Sequence, residues 1–311
     1  MKSDTSKTGL NRVLIVVNKW WECDPVTSAL LNQNACPAEL GWPQRLRYPC
    51  NELSHDPRAV YKLSHIQAEI WCISDLLRMY PDIPQYQSSS QRKMEEMPFL
   101  FKYSGKPADL VVAVGTAAAY PADVSVNGSV IAGTKAFLHN SHPDGENPYS
   151  NWQDGPFDTV IDSPLNSDDF KTITDIETDP PSVMKQFLVP PLNPDPAGAT
   201  LIAEYDYVAL AIVNVTDYSE YEEKDKEALK AYQKEHDPDT GRSLETTHGL
   251  IRVAAGMSAP FLFVSGIVDR VGHFHEDVAP RAYAQNTTGA HNAGIVVAWM
   301  LPKIDAVFAE V

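Results

Sequence analysis

The chain has 311 residues, of which 43% are hydrophobic, and a formal net charge of −16 at pH 7. This length and apolar content can bury a core large enough for one α/β domain or for two small ones. The acidic balance argues against a nucleic-acid partner, because contacts to a phosphate backbone are made mainly by clustered Lys and Arg, and it favours a small-molecule substrate.

The N-terminal segment and the cysteines indicate the compartment. Residues 1–12 are largely polar and lead into a short apolar run, Val13–Val17. That run is well short of the ~20 residues that cross a bilayer, and the segment has no secretory h-region. The cysteines lack CxxC spacing, which argues against zinc and against a disulfide scaffold. We therefore expect a soluble, cytoplasmic protein with no membrane partner and with reduced thiols, while a Cys36–Cys50 bridge stays open. The four cysteines are Cys23, Cys36, Cys50 and Cys72.

The first third of the chain is predicted to begin the sheet and then to leave it. The β-branched run Val13–Val17 is typical of a strand that is covered on both faces, and a polar loop, 18–25, follows it. Residues 32–57 are rich in Pro, Asn and Cys and predict an irregular excursion before a helix at about 60–79. The polar segment 84–98 is predicted to be exposed or mobile.

Strands and helices alternate through the rest of the chain. Residues 108–121 (ADLVVAVGTAAAYP) predict a strand and a small-residue turn, and residues 127–140 predict another strand after a turn signal. The many Pro, Asp and Asn residues of 141–200 predict long loops. A strand at 207–215 and a charged helix at 219–234 follow.

Residues 245–269 are the most informative segment. They predict a small-residue helix, a turn at Pro260 and an apolar strand that ends at Asp269, and a last helix is predicted at about 284–307. The alternation of strands and helices predicts an α/β sandwich with a mostly parallel or mixed sheet. The segment at about 32–105 is interpreted as an irregular or helical insert in a single domain.

Four predicted strand ends carry polar or small residues. In a sheet whose strands run broadly the same way, these ends converge on one rim, which is where α/β folds bind ligands. The small residues of Gly115–Ala119 would let main-chain N–H groups approach an anion or a sugar, although an ordinary turn has the same composition. The four ends are Asn18–Asp24, Gly115–Ala119, Thr216–Tyr218 and Asp269.

The order of these motifs resembles the superfamily of purine nucleoside phosphorylases and the nucleosidases that cleave methylthioadenosine and adenosylhomocysteine. The resemblance covers most of the chain and rests on six segments: VLIVVNKWWECD, VGTAAAYP, NGSVIAG, NVTDYS, LETTHGLIRVAAG and FVSGIVD. It implies a three-layer α/β sandwich with a central mixed, mostly parallel sheet, a single domain over 1–311, and a homo-oligomer without cofactor or metal. It also implies cleavage of the N-glycosidic bond of a purine nucleoside, as in purine salvage.

Asp269 matches the family acid that donates a proton to the purine N7, so that the base leaves neutral. That role needs a carboxylic acid that is protonated near neutral pH, and burial against the strand FLFVSGIV would raise the pKa of Asp269 in that direction. Arg270 or Arg281 could oppose this shift or assist the proton transfer. The alternative interpretations of Asp269 are a helix N-cap and a surface ion pair.

Glu245 resembles the Glu that accepts hydrogen bonds from the sugar 2′- and 3′-hydroxyls, a role that suits an acceptor-only carboxylate. A gap-free count back from Asp269 puts Thr246 in that position instead. Alternatively, Glu245 belongs to a capping box or to a favourable first helical turn. His248 lies near the presumed sugar and is a further substrate-binding candidate, whereas the two histidines of GHFHED form no complete zinc signature.

Glu22 falls where the nucleosidases of the superfamily place an acid that orients the attacking water, with Asp24 as a nearby competitor. Tyr218 lies where the family has an aromatic residue that stacks on the base, although an ordinary half-buried tyrosine fits equally well. The predicted small-residue turn supplies three more substrate-binding candidates, which are Gly115, Thr116 and Ala117.

The attacking nucleophile is predicted to be water rather than phosphate. Phosphorolysis needs inorganic phosphate beside the anomeric carbon, usually held by the planar fork of Arg. Ala113 stands where a typical bacterial hexameric phosphorylase has that Arg, and the first loop carries Lys19 but no arginine. Because Thr116 and Lys19 could still hold phosphate, a phosphate-dependent phosphorylase is the alternative. A relative that binds a nucleoside or base without turnover is the second alternative.

Overall fold

The fold is described from a computed structural model of the chain. The described residues are 9–47, 55–77, 90–103, 105–122, 126–142, 152–176, 200–215, 218–277 and 282–310. Within these ranges the free thiols are those of Cys23, Cys36 and Cys72. Four residues of interest lie outside the ranges: Cys50, Thr216, Asp217 and Arg281.

Twelve strands of the described ranges form one mixed sheet. The strands are β1 (Asn11–Val17), β2 (Arg45–Leu46), β3 (Ala59–Lys62), β4 (Ile66–Cys72), β5 (Leu110–Ala119), β6 (Val130–Gly133), β7 (Lys135–Asn140), β8 (Val160–Ile161), β9 (Leu201–Ala203), β10 (Val208–Val213), β11 (Gly241–Glu245) and β12 (Phe261–Arg270). The α-helices in these ranges are α1 (Trp20–Leu31), α2 (Ile73–Leu77), α3 (Ser90–Glu96), α4 (Pro98–Lys102), α5 (Ser167–Thr174), α6 (Tyr221–Tyr232), α7 (His248–Ala255), α8 (Phe274–Asp277) and α9 (Ala282–Ala309).

Strand β5 has two different neighbours along one of its edges. Its first half pairs in parallel with β1, up to Val17 opposite Val114. Its last residues pair antiparallel with β11, where Leu244 lies opposite Ala118. The other edge pairs in parallel with β12 over almost the whole length of β5. Because β1 and β11 run toward each other along the same edge, their carboxyl ends meet beside Gly115–Ala117.

Helices cover both faces of the sheet, which gives three layers. Successive side chains of a strand point to opposite faces, and in β1 both faces are buried. Val13, Ile15 and Val17 join the apolar core beneath α1 and α9, whereas Leu14 and Val16 join the core beneath α2, α4 and α7. A third apolar cluster packs α6 against β7 and β10. The predicted α/β sandwich with a central mixed sheet is confirmed.

The helix predicted at about 60–79 is wrong. The described residues there form an antiparallel hairpin, β3 and β4, and only Ile73–Leu77 are helical. Strand β4 also pairs in parallel with β1, so this part of the supposed insert belongs to the main sheet. Glu69 interrupts the apolar pattern of β4 and obscures its strand periodicity. The carboxylate of Glu69 is nevertheless buried, because Arg12 pairs with it at 2.8 Å.

Three further sequence predictions change in the structure. The turn predicted at Gly115–Ala119 is wrong, because β5 continues through these residues with β11 and β12 as partners. Residues 127–140 form two strands, β6 and β7, rather than one. The segment 84–98 is described from residue 90, and its helix α3 buries three polar side chains instead of exposing them. These side chains are Ser90, Arg92 and Lys93.

Helix α9 is a core helix. It packs on α1 where Gly294 faces Val26 and Ala29, and a Cβ at Gly294 would come within 2.8 Å of atoms of both. By length and composition the stretch Ala284–Ala309 could cross a membrane, but 56% of its most apolar window is buried inside the protein. Burial of an apolar helix against α1 and β12 accounts for its composition.

Candidate active site

A cavity of about 550 Å³ opens where the carboxyl ends of β1 and β11 meet the middle of β5, next to the end of β12. Small-molecule sites have volumes in this range. The structure brings eight of the nine predicted site residues to this cavity: Glu22, Gly115, Thr116, Ala117, Glu245, Thr246, His248 and Asp269. The side chain of the ninth, Tyr218, lies outside the described part of the structure.

Glu22 lies in the first turn of α1 and is held by three donors. Its Oε1 accepts the N–H and the hydroxyl of Thr116, both at 2.8 Å, and its Oε2 accepts the N–H of Lys19 at 3.0 Å. Burial raises the pKa of Glu22, and these donors oppose that rise. Three donors suit an ionised, acceptor-only carboxylate and leave Oε2 free to accept one more hydrogen bond. Asp24, the competing acid, pairs instead with Arg58.

Gly115 has no side chain and so leaves room beside β5 for the side chains of Glu22 and His248. A Cβ at Gly115 would lie 3.1 Å from Glu22 Oε1 and 3.3 Å from His248 Nε2. Both separations are shorter than an ordinary van der Waals contact, so a side chain at this position would push the carboxylate and the imidazole apart. The glycine therefore permits a close approach of two side chains, and it does not form a turn.

His248 begins helix α7 and is buried. Its Nδ1 lies 3.4 Å from the Oγ of Ser265, whose hydroxyl donates to the Oγ of Ser243 at 3.2 Å. Burial lowers the pKa of His248 to about 4, so its imidazole is neutral at neutral pH. A neutral imidazole has one donor and one acceptor nitrogen, which suits a hydroxyl group better than a phosphate anion.

Glu245 ends β11 and binds the start of α7. Its carboxylate accepts the N–H of His248 at 2.7 Å and also the N–H of Thr247. Glu245 lies in β11, two residues before the N-cap Thr247, so the predicted capping box and the predicted place in the first helical turn are not observed, although its carboxylate binds two N–H groups at the helix start. The same side chain lines the cavity beside Thr246, and burial raises the pKa of Glu245 to about 7. Glu245 therefore binds the helix start and also faces the cavity.

Lys93 is a component of the site that the local sequence does not reveal. From helix α3, its Nζ donates to the Oγ1 of Thr247 at 3.0 Å. Burial is the main cause that lowers the pKa of Lys93 to about 7, and the charge of Lys19 lowers it further, whereas Glu245 and Glu22 raise it. Nothing in the polar segment SQRKMEE indicates a buried lysine, because only the packing of α3 against α7 places it there.

Asp269 lies near the end of β12 with 5% of its surface exposed. None of the described residues donates a hydrogen bond to its carboxyl group. Burial raises the pKa of Asp269 well above its ordinary value, and the negative charges of Asp225 and Asp277 raise it further. A buried carboxyl without a donor and beside other acids is held in its neutral form. This is the state that a proton donor needs.

Arg270 opposes the raised pKa of Asp269, as expected, but it does not neutralise this acid, because its guanidinium pairs with other carboxylates. Its Nε and a terminal nitrogen donate to the carboxylate of Asp277 at 2.9 and 2.8 Å, and Glu276 lies 3.0 Å away. Asp269 itself belongs to a strand and forms neither a helix N-cap nor an ion pair with any described residue. Both alternative interpretations of Asp269 are therefore wrong for the described part of the chain.

Two aromatic side chains that the motifs do not identify also line the cavity. Tyr221 and Phe274 stack, with ring centroids 5.4 Å apart and an angle of 29° between their planes. Aromatic faces of this kind pack well against a flat heterocycle. The backbone of Tyr218 forms a short 3₁₀ helix with Glu220 directly before α6, and its stacking role stays a prediction.

The cavity is acidic. Among the described residues that line it there is no arginine, and Lys19 supplies its only ammonium group. Burial lowers the pKa of Lys19, which weakens that cation. An additional anion would meet repulsion from several carboxyl groups with little compensation, so the site suits a neutral ligand rich in hydroxyl groups. The carboxyl groups that can carry this charge are those of Glu22, Asp225 and Glu245, whereas Asp269 is held neutral.

Comparison with solved structures finds this fold in nucleosidases and in a related hydrolase. A 5′-methylthioadenosine/S-adenosylhomocysteine nucleosidase from Colwellia psychrerythraea 34H, solved with adenine, matches with a TM-score of 0.54 at 12% identity over 95% of this chain and 96% of that chain. The nucleosidase of the same name from Helicobacter pylori matches with a TM-score of 0.55 at 10% identity over 94% and 99%. Futalosine hydrolase of Helicobacter pylori matches with a TM-score of 0.54 at 9% identity over 94% and 98%.

At these identities the likeness establishes the fold. The predicted nucleoside phosphorylase-like α/β fold, and the resemblance on which it rests, are confirmed at that level. No protein-family model matches the chain, and no curated protein matches it either. The chemistry of the site therefore depends on its own residues.

Proposed function

We propose that the protein hydrolyses the N-glycosidic bond of a purine nucleoside. The observation that carries this proposal is one cavity with two carboxyl groups in opposite hydrogen-bonding environments. Glu22 is held as an acceptor by three donors, whereas Asp269 has no donor among the described residues and is kept neutral by burial. Glu22 can then serve as the general base for the attacking water, and Asp269 as the general acid for the departing purine.

Asp269 acts on the leaving base. Its proton passes to N7 as the C1′–N9 bond breaks, the bonding electrons go to the base, and the purine leaves neutral. The sugar then carries the positive charge of an oxocarbenium-like transition state. Because burial and acidic neighbours disfavour the ionised form of Asp269, the acid gives up its proton only when the leaving base accepts it. Solvent restores the proton after release of the base.

Glu22 acts on the attacking water. A water molecule that donates to Oε2 can be oriented by the carboxylate, which Thr116 and Lys19 hold in place. The water oxygen forms the new bond to C1′, and its proton passes to Glu22. The products are the free sugar and the free base, and Glu22 then returns its proton to solvent.

Glu245, Thr246 and His248 are the candidates for the sugar hydroxyls, since all three line the cavity between β11 and α7. An ionised Glu245 accepts from a diol, and His248, whose ring also hydrogen-bonds the backbone of Val114, lines the same wall of the cavity. Lys93 lies behind these groups on Thr247, where its charge favours the ionised form of Glu245. Lys93 is therefore a positioning residue in this proposal.

Water is favoured over phosphate as the nucleophile. Phosphate recognition usually uses the bidentate fork of Arg, and the described lining of the cavity has none. Glu22 already accepts both donors of Thr116, so neither is free to bind phosphate. The negative charge of Glu22 would also repel a phosphate that approached Thr116. The matched nucleosidases and hydrolase share the fold, which supports the same reaction class here.

The test is incubation of the purified protein with adenosine, inosine, guanosine and methylthioadenosine, with and without phosphate, followed by chromatography of the free base. We expect release of base at the same rate in both conditions. Strict dependence on phosphate would identify a phosphorylase. Binding of nucleoside without release would identify a binding protein.

A further inference from the structure

Asp225 is a second carboxyl group in the part of the cavity that contains Asp269. It extends from helix α6, with 3% of its surface exposed, and lines the cavity. Its Oδ2 accepts the N–H of Gly272 at 3.3 Å. Its Oδ1 has no hydrogen-bond partner among the described residues. Neither the water step nor the proton transfer to N7 uses this group.

The two acids influence each other. Burial raises the pKa of Asp225 to about 7, and the charge of Asp225 is the strongest of the charges that raise the pKa of Asp269. Two carboxyl groups that interact in a low-dielectric cavity do not both ionise readily. Asp269 is the more strongly shifted of the two, and it is therefore the acid that keeps the proton.

Other charged groups near Asp225 do not satisfy its free oxygen. Glu222 on the same helix accepts the N–H of His275 at 2.8 Å and pairs with its ring at 3.1 Å. Lys226 is exposed, and its charge is the weakest influence on Asp225. A ligand group that donates a hydrogen bond would fill the place that the described residues leave open.

The stacked rings of Tyr221 and Phe274 indicate what kind of ligand group reaches the acids. Both rings line the same cavity as Asp225 and Asp269, and Tyr221 precedes Asp225 by one helical turn on α6. A flat base packed near these rings would present its edge to the carboxyl groups. On a purine, the edge that carries N7 also carries the substituent at C6.

We propose that Asp225 selects the base by its 6-substituent, so that the carboxyl pair recognises a 6-aminopurine. The neutral Asp269 donates to N7, which is an acceptor, and the ionised Asp225 accepts from the adjacent 6-amino group. The ionised form of Asp225 would instead face the oxygen of a 6-oxopurine acceptor to acceptor, and both groups would stay unpaired. This proposal rests on the proposed nucleosidase function and specifies the substrates as 6-aminopurine nucleosides.

The test compares kcat/KM for adenosine and inosine, which differ at C6 and share the same sugar. In wild-type protein we expect adenosine to be preferred by about 10²-fold or more, because the site is built around a donor at that position. In Asp225→Asn the side-chain amide can turn either its oxygen or its nitrogen to the base. The preference should then fall at least about tenfold.

Glu223→Gln is the matched control, because Glu223 is an exposed carboxylate two residues away on the same helix. It should leave both the rate and the preference unchanged. A preference that is the same in Asp225→Asn as in the wild type would overturn the assignment of Asp225. Equal kcat/KM for inosine and adenosine in the wild-type protein would also overturn it.

A second measurement needs no variant. Purine riboside lacks the 6-amino group and keeps N7, so wild-type protein should cleave it with kcat/KM about 10- to 100-fold below that for adenosine. Equal rates would overturn the proposal even if Asp225→Asn failed to fold. If the wild type cleaves no nucleoside, the proposed function fails separately. Calorimetric binding of adenine and hypoxanthine then still tests Asp225, and equal affinities would overturn its role.

Discussion

Replacement of Asp269 by Asn tests the proton donor directly. Asparagine has nearly the same shape and keeps a polar group at the end of β12, but it cannot supply a proton to N7. Loss of a general acid costs about 10²- to 10⁴-fold in turnover, which corresponds to about 2.7–5.5 kcal/mol of transition-state stabilisation. We expect kcat to fall by this factor. KM should change much less, because the amide can still donate to N7 in the bound substrate.

The same substitution should not destabilise the protein. The pKa of Asp269 is raised in the folded state, while an unfolded Asp ionises at about 3.9. Between these two values the folded chain binds more protons than the unfolded chain, so the free energy of unfolding falls as the pH rises. Asparagine removes this cost. The melting temperature of the variant at neutral pH should therefore equal or exceed that of the wild type, and the difference should grow with pH across this window.

The assay measures release of free base by chromatography, alongside melting temperatures at several pH values. Asp239→Asn is the control, because Asp239 is an exposed acid that does not line the cavity. It should have wild-type activity. Wild-type turnover in Asp269→Asn would refute the acid mechanism. A lower melting temperature at neutral pH would refute the claim that burial keeps this carboxyl group neutral.

Three further substitutions test the other parts of the site. Glu22→Gln should lower kcat by about 10²- to 10⁴-fold in steady-state assays, because an amide cannot accept the proton of water; an unchanged kcat would exclude Glu22 as the base. Lys93→Met removes the cation that lowers the pKa of Glu245. The acid limb of the pH profile of kcat/KM should therefore move up by about one unit, and an unmoved limb would contradict the role of Lys93. Gly115→Ala should lower kcat/KM about tenfold or more by displacing Glu22 and His248, with little change in melting temperature; full activity would show that their close approach is not needed.

Local sequence patterns predict much of the fold. The apolar runs at Val13–Val17 and 207–215 correspond to β1 and β10, and the acid-terminated run before Asp269 corresponds to β12. The long apolar helix near the C-terminus is α9. These elements are visible in the sequence because each buries its own continuous apolar surface, and burial of that kind depends on local composition.

The errors arise where an element depends on a distant partner. Strand β4 contains Glu69, which is acceptable in the core only because Arg12 pairs with it. The residues Gly115–Ala119 have the composition of a turn, yet they extend β5 because β11 and β12 pair with them. Lys93 belongs to a polar segment that looks exposed, and it is buried because α3 packs against α7. None of these partners is near in sequence.

By itself, the sequence determined the α/β class, the order of the motifs and the choice of Asp269 and Glu22 as the two principal acids. Only the tertiary structure decided which acid is buried without a donor among the described residues and which is held by three donors. The physical reason is that protonation depends on burial and on donors from other elements. Thr116 is 94 residues from Glu22 in the chain, and Thr247 is 154 residues from Lys93. The carboxyl pair of Asp225 and Asp269 likewise exists only because α6 packs beside the end of β12.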